Sequence, residues 1–457
     1  MPDGSPTVTR QLADFLASLA GRVDDRLTER ATDYLVDTLG ATVFGATRPW
    51  SRAVIEHALA TGAAGPCSVV GCWRSTTPAM AAFANGASAH AFELDDVHEE
   101  AISHPGAVVV PAALALAEEL DASGRDLLEA IVIGYEAMGR AGIAVGPASH
   151  MLRGFHPTSM SGVFGSAAAA GRLLRFDGER LNHAFGIAAS MASGTMEFAA
   201  SGGMAKRLHA GRAAEGGLTA ALLAARGFEG ADDGLAGRYG FCRVFTDAPR
   251  VERLTEGLGE RWMVDEITIK PWAACSDIHP MIQAAQEIRA EHDLDPGRIV
   301  RIDAEGPAKA ARQNSLDGTV SVMAAQYSAE WNIAAALLAD PADPSTYDPD
   351  RIATAEIAAL QAKVTSVTAA DEFEATYAWK MGGRVRIELD SGDVLERSVH
   401  GQRGSMHAPF GAADVDAKFD RVTSGLVARG APSRIRGGVT GSVRDLVAGF
   451  LELLPTR

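Results

Sequence analysis

Through most of the first 260 positions, apolar residues recur at three- and four-residue steps. LTERATDYLVDTLGATVFG, PAALALAEEL, DLLEAIVIGYEAMGRAG and GLTAALLAARG all carry this spacing, which predicts helices with one buried face. Gly closes several of them, as in LDASG and RGFEG. Small residues also lie inside the segments, as in GVFGSAAAAGRLL, where they let helix axes approach closely. Near residue 263 the period changes. MVDEITIK and RIVRIDAEG (298–306) alternate and are rich in β-branched residues. RVRIELDSGDVLERSV (384–399) reads as a hairpin around Asp390-Ser391-Gly392-Asp393. Helical patterns interrupt these strands at 277–292, 327–339 and 350–362, and return after about residue 405 in AADVDAKFDRVTSGL and VRDLVAGFLELL. The expected fold is mostly α with an α+β insert: a helical domain from both chain ends, 1–265 and 405–457, and a smaller α+β domain over 266–404.

Composition narrows the function classes. A 457-residue chain with 47% apolar residues can bury a large core. Its formal net charge of −16 argues against a general nucleic-acid binder or a basic membrane-surface protein. Any anionic ligand then needs a local cluster of cations. Cys67, Cys72, Cys242 and Cys275 are too few and too scattered for a disulfide framework, and read as buried thiols in a reducing compartment. The start MPDGSPTVTRQLADF lacks the pattern of a secretory signal, and no apolar run is long enough to span a bilayer. A soluble cytoplasmic protein is expected.

Residues 89–106, AHAFELDDVHEEAISHPG, concentrate three histidines and five carboxylates. As one helix, 90–104 places His90, Glu93, Val97, Glu100 and His104 on a shared face, with Asp95 and His98 pointing elsewhere. Pro105 argues against an uninterrupted helix. A turn within 97–104 lets His104 start the next helix instead. The histidine spacings of 8, 6 and 14 lack the zinc-type pattern of two histidines four apart, so no metal is expected. The plain alternative is a solvated face with capping acids. Proton transfer is favoured because similar groups recur elsewhere. GFHPTSMSG carries His156; GGMAKRLHAGRAAEGG carries Lys206, Arg207, His209 and Arg212; IKPWAACSDIHP carries Lys270 and His279. Each alone is weak, since AKRLHAGR also fits a solvated helix face and Gly202-Gly203 lacks the order of a phosphate loop. Together they offer acid–base groups (His104, His156) and cations (Lys206, Arg207, Lys270). Such a set suits a small di- or tricarboxylate: the cations hold carboxylates and stabilise enolate-like charge while a base takes the adjacent proton.

With these residues in view, the chain resembles the MmgE/PrpD family over essentially its whole length. The marks are NGASAHAFELDDVHEEAISHPGAVVVPAALALAEE, GYEAMGRAG, GFHPTSMSGVFGSAAAAGRLL, SMASGTMEF, AKRLHAGRAAEGGLTAALLAARGFEG, KPWAACSDIHP and QYSAEWNIAAALL. The family includes 2-methylcitrate dehydratases, cis-aconitate decarboxylases and iminodisuccinate epimerases. The resemblance implies a helical domain, a smaller α+β lid, an active site between them, a homodimer, and no metal or organic cofactor. It places the central acid–base histidine at His104, a second at His156, and substrate-bracketing lysines at Lys206 and Lys270. Glu93, Asp96, Arg207, His209, His279 and Trp331 are then expected to bind substrate or tune the site.

Two departures shape the expected reaction. Where family members often read LDFDDT, this chain reads FELDDV, so Glu93 replaces an aspartate and Val97 a threonine. Trp331 stands where the decarboxylases carry a tyrosine in an FSxxY pattern. The loss of a hydroxyl and a phenol weakens the dehydratase and decarboxylase versions. The sequence therefore points first to a cofactor-independent epimerase of an iminodisuccinate-like amino dicarboxylate. A 2-methylcitrate-type dehydratase and a cis-aconitate-type decarboxylase follow, and a catalytically inactive ligand-binding scaffold is the alternative of another class.

Overall fold

Helix starts in this chain are built locally. The side chains of Thr7, Asp24, Asp177 and Ser442 each accept a hydrogen bond from the backbone N–H three residues on, satisfying donors that a helix leaves orphaned. The computed structural model describes residues 5–198, 203–314 and 321–455, with the side chains of 147–152, 313 and 366 excepted. The molecule is mostly α with an α+β portion, and it divides into two compact units. One comprises residues 1–91, 95–267 and 411–457; the other comprises 92–94 and 268–410.

The first unit is helical. Gly124–Arg153 packs on Pro157–Leu173, which packs on Ala205–Ala225, which in turn packs on Pro78–Ala89. These are the segments rich in Ala and Gly, and their axes are close because little side chain separates them. A Cβ on Gly211 would lie 2.3 Å from the carbonyl oxygen of Phe83, so only glycine fits that crossing. The chain's last helices close on this unit. Ala412–Val422 packs against Asp25–Ala46, where Phe419 covers Gly40 and the Lys418 ammonium meets Asp37 at 2.6 Å, both fully enclosed.

The second unit centres on a four-stranded sheet in the order 364–369, 299–306, 382–389, 394–400. The first pair is parallel and the other two are antiparallel. Val385, Ile387 and Leu389 point inward while Arg386 and Glu388 point out, the alternation of a sheet covered on one face. His279–His292 covers that face, packed on both hairpin strands and on Ala329–Leu338. The 384–399 hairpin is present, its turn passing through Gly392 at φ +85°.

MVDEITIK is not the strand its alternation predicts. Met263–Glu266 forms a 3₁₀ turn and only Ile267–Thr268 is extended. The Met263 N–H is taken by the Glu136 carboxylate at 2.9 Å, and Asp265 and Glu266 pair with Arg26 and Arg261. The Met263 N–H that a strand would offer to a neighbour is committed to a side chain.

Candidate active site

The Pro78–Ala89 helix ends at His90, and the chain re-enters helix only at Gly106. Between them, 90–105 is neither a continuous helix nor a solvated face. His90, Glu93, Asp95, Asp96, His98, Glu99 and His104 are all buried. A tight turn joins His98 to Ser103 across two backbone hydrogen bonds, and Pro105 ends the non-helical run. Burial makes an unmet polar group costly, and several groups of the run are tied to named partners. Asp96 holds the loop from the side: its Oδ1 accepts from the Gly106 N–H at 2.7 Å and its Oδ2 from the Tyr135 hydroxyl at 2.7 Å. A Cβ at residue 106 would sit 2.7 Å from Asp96 Oδ1 and 2.6 Å from Thr38 Oγ1, which explains the glycine of HPG. Burial pushes the Asp96 carboxyl up to about 7, with Tyr135 pulling the other way.

Within the first unit the loop brings histidines together. His104 Nδ1 lies 2.7 Å from the Asp96 carbonyl oxygen and 3.4 Å from Asp95 Oδ2, and its backbone N–H donates to Thr158 Oγ1 at 3.2 Å. His90 Nδ1 lies 2.6 Å from the same Asp95 oxygen. The His90 ring is 4.9 Å from that of His104 and 5.6 Å from that of His156. His156 opens the Pro157–Leu173 helix and is pinned by its N–H to the Gly194 carbonyl, so the SMASGTMEF stretch braces the GFHP stretch. The Nδ1 atoms of His156 and His209 are 3.0 Å apart. One must donate and the other accept, so this pair shares a proton. Burial, reinforced by His90 and Lys206, lowers the His209 imidazole to about 4 and puts His156 well below its ordinary value. Both are neutral bases at neutral pH.

Lys206, Arg207 and His209 stand on the first turns of Ala205–Ala225, and all three are buried, so AKRLHAGR is not a solvated face. Arg207 donates to the Ala91 carbonyl and lies over the Trp50 ring at 4.0 Å, anchoring the end of the Pro78–Ala89 helix. Arg212 is exposed and pairs with Glu215. Gly202 lies outside the described residues.

The second unit holds its own polar group. Lys270 Nζ lies 3.1 Å from Glu93 Oε2, and the Tyr327 hydroxyl donates to Glu93 Oε1 at 3.3 Å. Glu93 adopts φ +58°, a left-handed conformation that costs an L-residue about 1 kcal/mol or more. His279 and Trp331 are also buried in this unit. His279 Nε2 meets the Ala274 carbonyl, and the Trp331 indole N–H donates to the Ile352 carbonyl while its ring packs on Tyr347.

The structure adds residues that spacing did not single out. The helical face predicted for 90–104 turns Asp95 away, yet Asp95 and His90, five apart, flank His104. Tyr327 supplies a phenol one helical turn before Trp331. Its signal was visible: the family's FSxxY pattern reads YSAEW here, so the aromatic hydroxyl sits four residues earlier. His90, Asp95 and His104 also offer ligand atoms within 4.8 Å of one another. Metal bonds of about 2.1 Å at a tetrahedral angle put neighbouring ligand atoms about 3.4 Å apart. The 2.6 Å between His90 and Asp95 is instead a charge-assisted hydrogen bond. The arrangement is a set of imidazoles with cations beside them, fit to move protons next to a carboxylate.

The chain matches known proteins over most of its length. Residues 10–254 match the MmgE/PrpD N-terminal domain and residues 272–437 the MmgE/PrpD C-terminal domain. Among curated relatives, a cis-aconitate decarboxylase of Aspergillus terreus is 30% identical over 415 residues, covering 86% of this chain and 84% of its own length. The cis-aconitate decarboxylase-like protein oryM of Aspergillus oryzae is 28% identical over 96% of this chain and 94% of its own. Human cis-aconitate decarboxylase is 32% identical over 65% of this chain and 63% of its own.

Proposed function

Because the chain belongs to the MmgE/PrpD family of enzymes, we propose that it is a lyase acting on a small tricarboxylate, with decarboxylation of a cis-aconitate-like substrate as the reaction. This reorders the expectation from sequence, which put the epimerase first. The observation that carries the change is the similarity to cis-aconitate decarboxylases across more than four-fifths of the chain. The half-buried Tyr327 phenol beside Glu93 removes one objection, since the loss of a tyrosine at Trp331 does not leave this unit without a phenol near Lys270.

In this reading His104 is the central acid. The C–C bond to one carboxylate breaks, its electron pair enters the conjugated acid, carbon dioxide leaves, and an imidazolium proton from His104 ends on carbon. His156 is held neutral and serves as a base. Lys206 and Lys270 are assigned to the remaining carboxylates and the developing negative charge. Asp96 and Arg207 hold the loop and helix end that present His104. The functional unit is proposed to be a homodimer.

The test uses the chelator-treated protein in deuterated water with cis-aconitate, 2-methylcitrate and iminodisuccinate, followed by proton NMR. Carbon dioxide release with one deuterium on carbon is the expected outcome for the first. Deuterium uptake with stereochemical scrambling of iminodisuccinate alone would restore the epimerase reading. Loss of water from 2-methylcitrate alone would make it a dehydratase. Activity that appears only on adding a metal ion would overturn the cofactor-independent mechanism.

A further inference from the structure

Asp95 stands between two imidazoles. Its Oδ2 is 2.6 Å from His90 Nδ1 and 3.4 Å from His104 Nδ1. The second oxygen that His104 Nδ1 meets is the Asp96 carbonyl at 2.7 Å, which can only accept. Both Nδ1 atoms therefore carry the proton, and in each neutral ring the lone pair falls on Nε2. His90 Nε2 is buried and meets no hydrogen-bonding partner among the described residues. It belongs to a ring in edge contact with His104 and near His156. Nothing in the proton-transfer scheme above uses this atom or explains why a fully buried carboxylate should be divided between two histidines.

We infer that Asp95 is a positioning residue that sets the tautomer of His90 and His104 together, and that the Asp95–His90 pair tunes His104 by competing for the carboxylate that would stabilise its imidazolium. A carboxylate that donates all its charge to one imidazole holds it protonated; one already engaged at 2.6 Å by a second imidazole stabilises the first less. His104 is thereby left able to release a proton to carbon and return to the Nδ1–H form, with no net proton held by Asp95. The groups facing this arrangement bear on it too. Asp37 and Asp96 lie on the carboxylate side, Lys418 is already committed to Asp37, and His156, His209 and Lys206 lie on the imidazole side.

The role of His104 in turnover rests on the lyase reading, so the test has one arm that needs no substrate. Long-range ¹H–¹⁵N correlation spectra of the imidazoles are expected to show Nδ1–H tautomers for His90 and His104 in the wild type. In Asp95→Asn, a population of the Nε2–H tautomer is expected at one or both. Unchanged tautomers in a folded Asp95→Asn protein would overturn the inference. In the activity arm, Asp95→Asn is expected to lower kcat on cis-aconitate by about a hundredfold or more, as for other carboxylates that orient a working histidine. His90→Phe removes the competing donor and is expected to move the pH profile of kcat upward by about one unit. His90→Asn keeps an N–H near the place of Nδ1 and is expected to restore the wild-type profile. A His90→Phe profile that coincides with the wild type would sink the tuning role, and this pair decides the matter if Asp95→Asn does not fold. A wild-type protein that turns over no tricarboxylate would overturn the lyase reading and leave the tautomer result to stand by itself.

Discussion

His209 and Asp96 lie in the same helical unit but couple folding to pH with opposite signs. His209 is lowered to about 4 by burial, and His156 is lowered as well. The unfolded chain binds those protons near the ordinary histidine value of about 6.5. Their contribution to stability is intact above that pH and is lost as pH falls toward 4. Asp96 is raised to about 7, so its contribution is full below the ordinary aspartate value of about 3.9 and is lost as pH rises through 7. The histidines therefore dominate the acid side. His209→Asn is expected to lose less melting temperature than the wild type between pH 6.5 and 4.5; parallel curves in scanning calorimetry would show that His209 does not carry the acid sensitivity. At this scale recognisable blocks drew attention to His104, His156, Lys206 and Lys270, and all four are buried. The sequence offered Asp95 as a group that positions or tunes His104 or holds local structure, and His90 as structural, but not their pairing, because that meeting depends on the non-helical path of 90–105. A helical wheel turns Asp95 away from the face it in fact shares.

The helices and the hairpin were readable because their periods of 3.6 and 2 follow from which face is buried. What periodicity does not carry is how closely two elements approach. The crossing of Ala205–Ala225 over Pro78–Ala89 is set by Gly211 against the Phe83 carbonyl, and it fixes the helix turn that bears Lys206 and His209. Gly211→Val is expected to force that crossing apart, costing about 3 kcal/mol by overpacking, with turnover lost along with stability. Gly437, in the Ala431–Gly438 helix, has open space around its Cβ position. Gly437→Ala is expected to raise stability by up to about 1 kcal/mol, since it lowers the entropy of the unfolded chain at no steric cost. Thermal melts of the two variants separate the explanations: if both stabilise the protein, helix propensity and not close approach governs these glycines. MVDEITIK failed as a strand for a reason that lies in another element, the Glu136 carboxylate that captures the Met263 N–H. A pattern reading confined to one segment has no access to that competitor.

Over the whole molecule, the net charge of −16 opposes the proposed tricarboxylate substrate. No helix among the described residues is long and apolar enough to cross a membrane, and the acidic surface is an ordinary device for solubility. An anionic substrate approaching such a surface is repelled at long range and attracted only by the cations near its site. Salt separates the two. The Debye length is about 30 Å at 0.01 M and about 8 Å at 0.15 M. Raising salt across that interval screens the distributed charge first, while contacts of a few ångströms, such as the one proposed for the buried Lys206, survive. For a tricarboxylate, kcat/KM is therefore expected to rise severalfold from 0.01 to 0.15 M salt through a lower KM, with kcat nearly constant, and to fall again toward 1 M as the close contacts are screened. A fall from the outset would mean that the site's own cations dominate the field at long range, and the acidic surface would then be no barrier to the substrate.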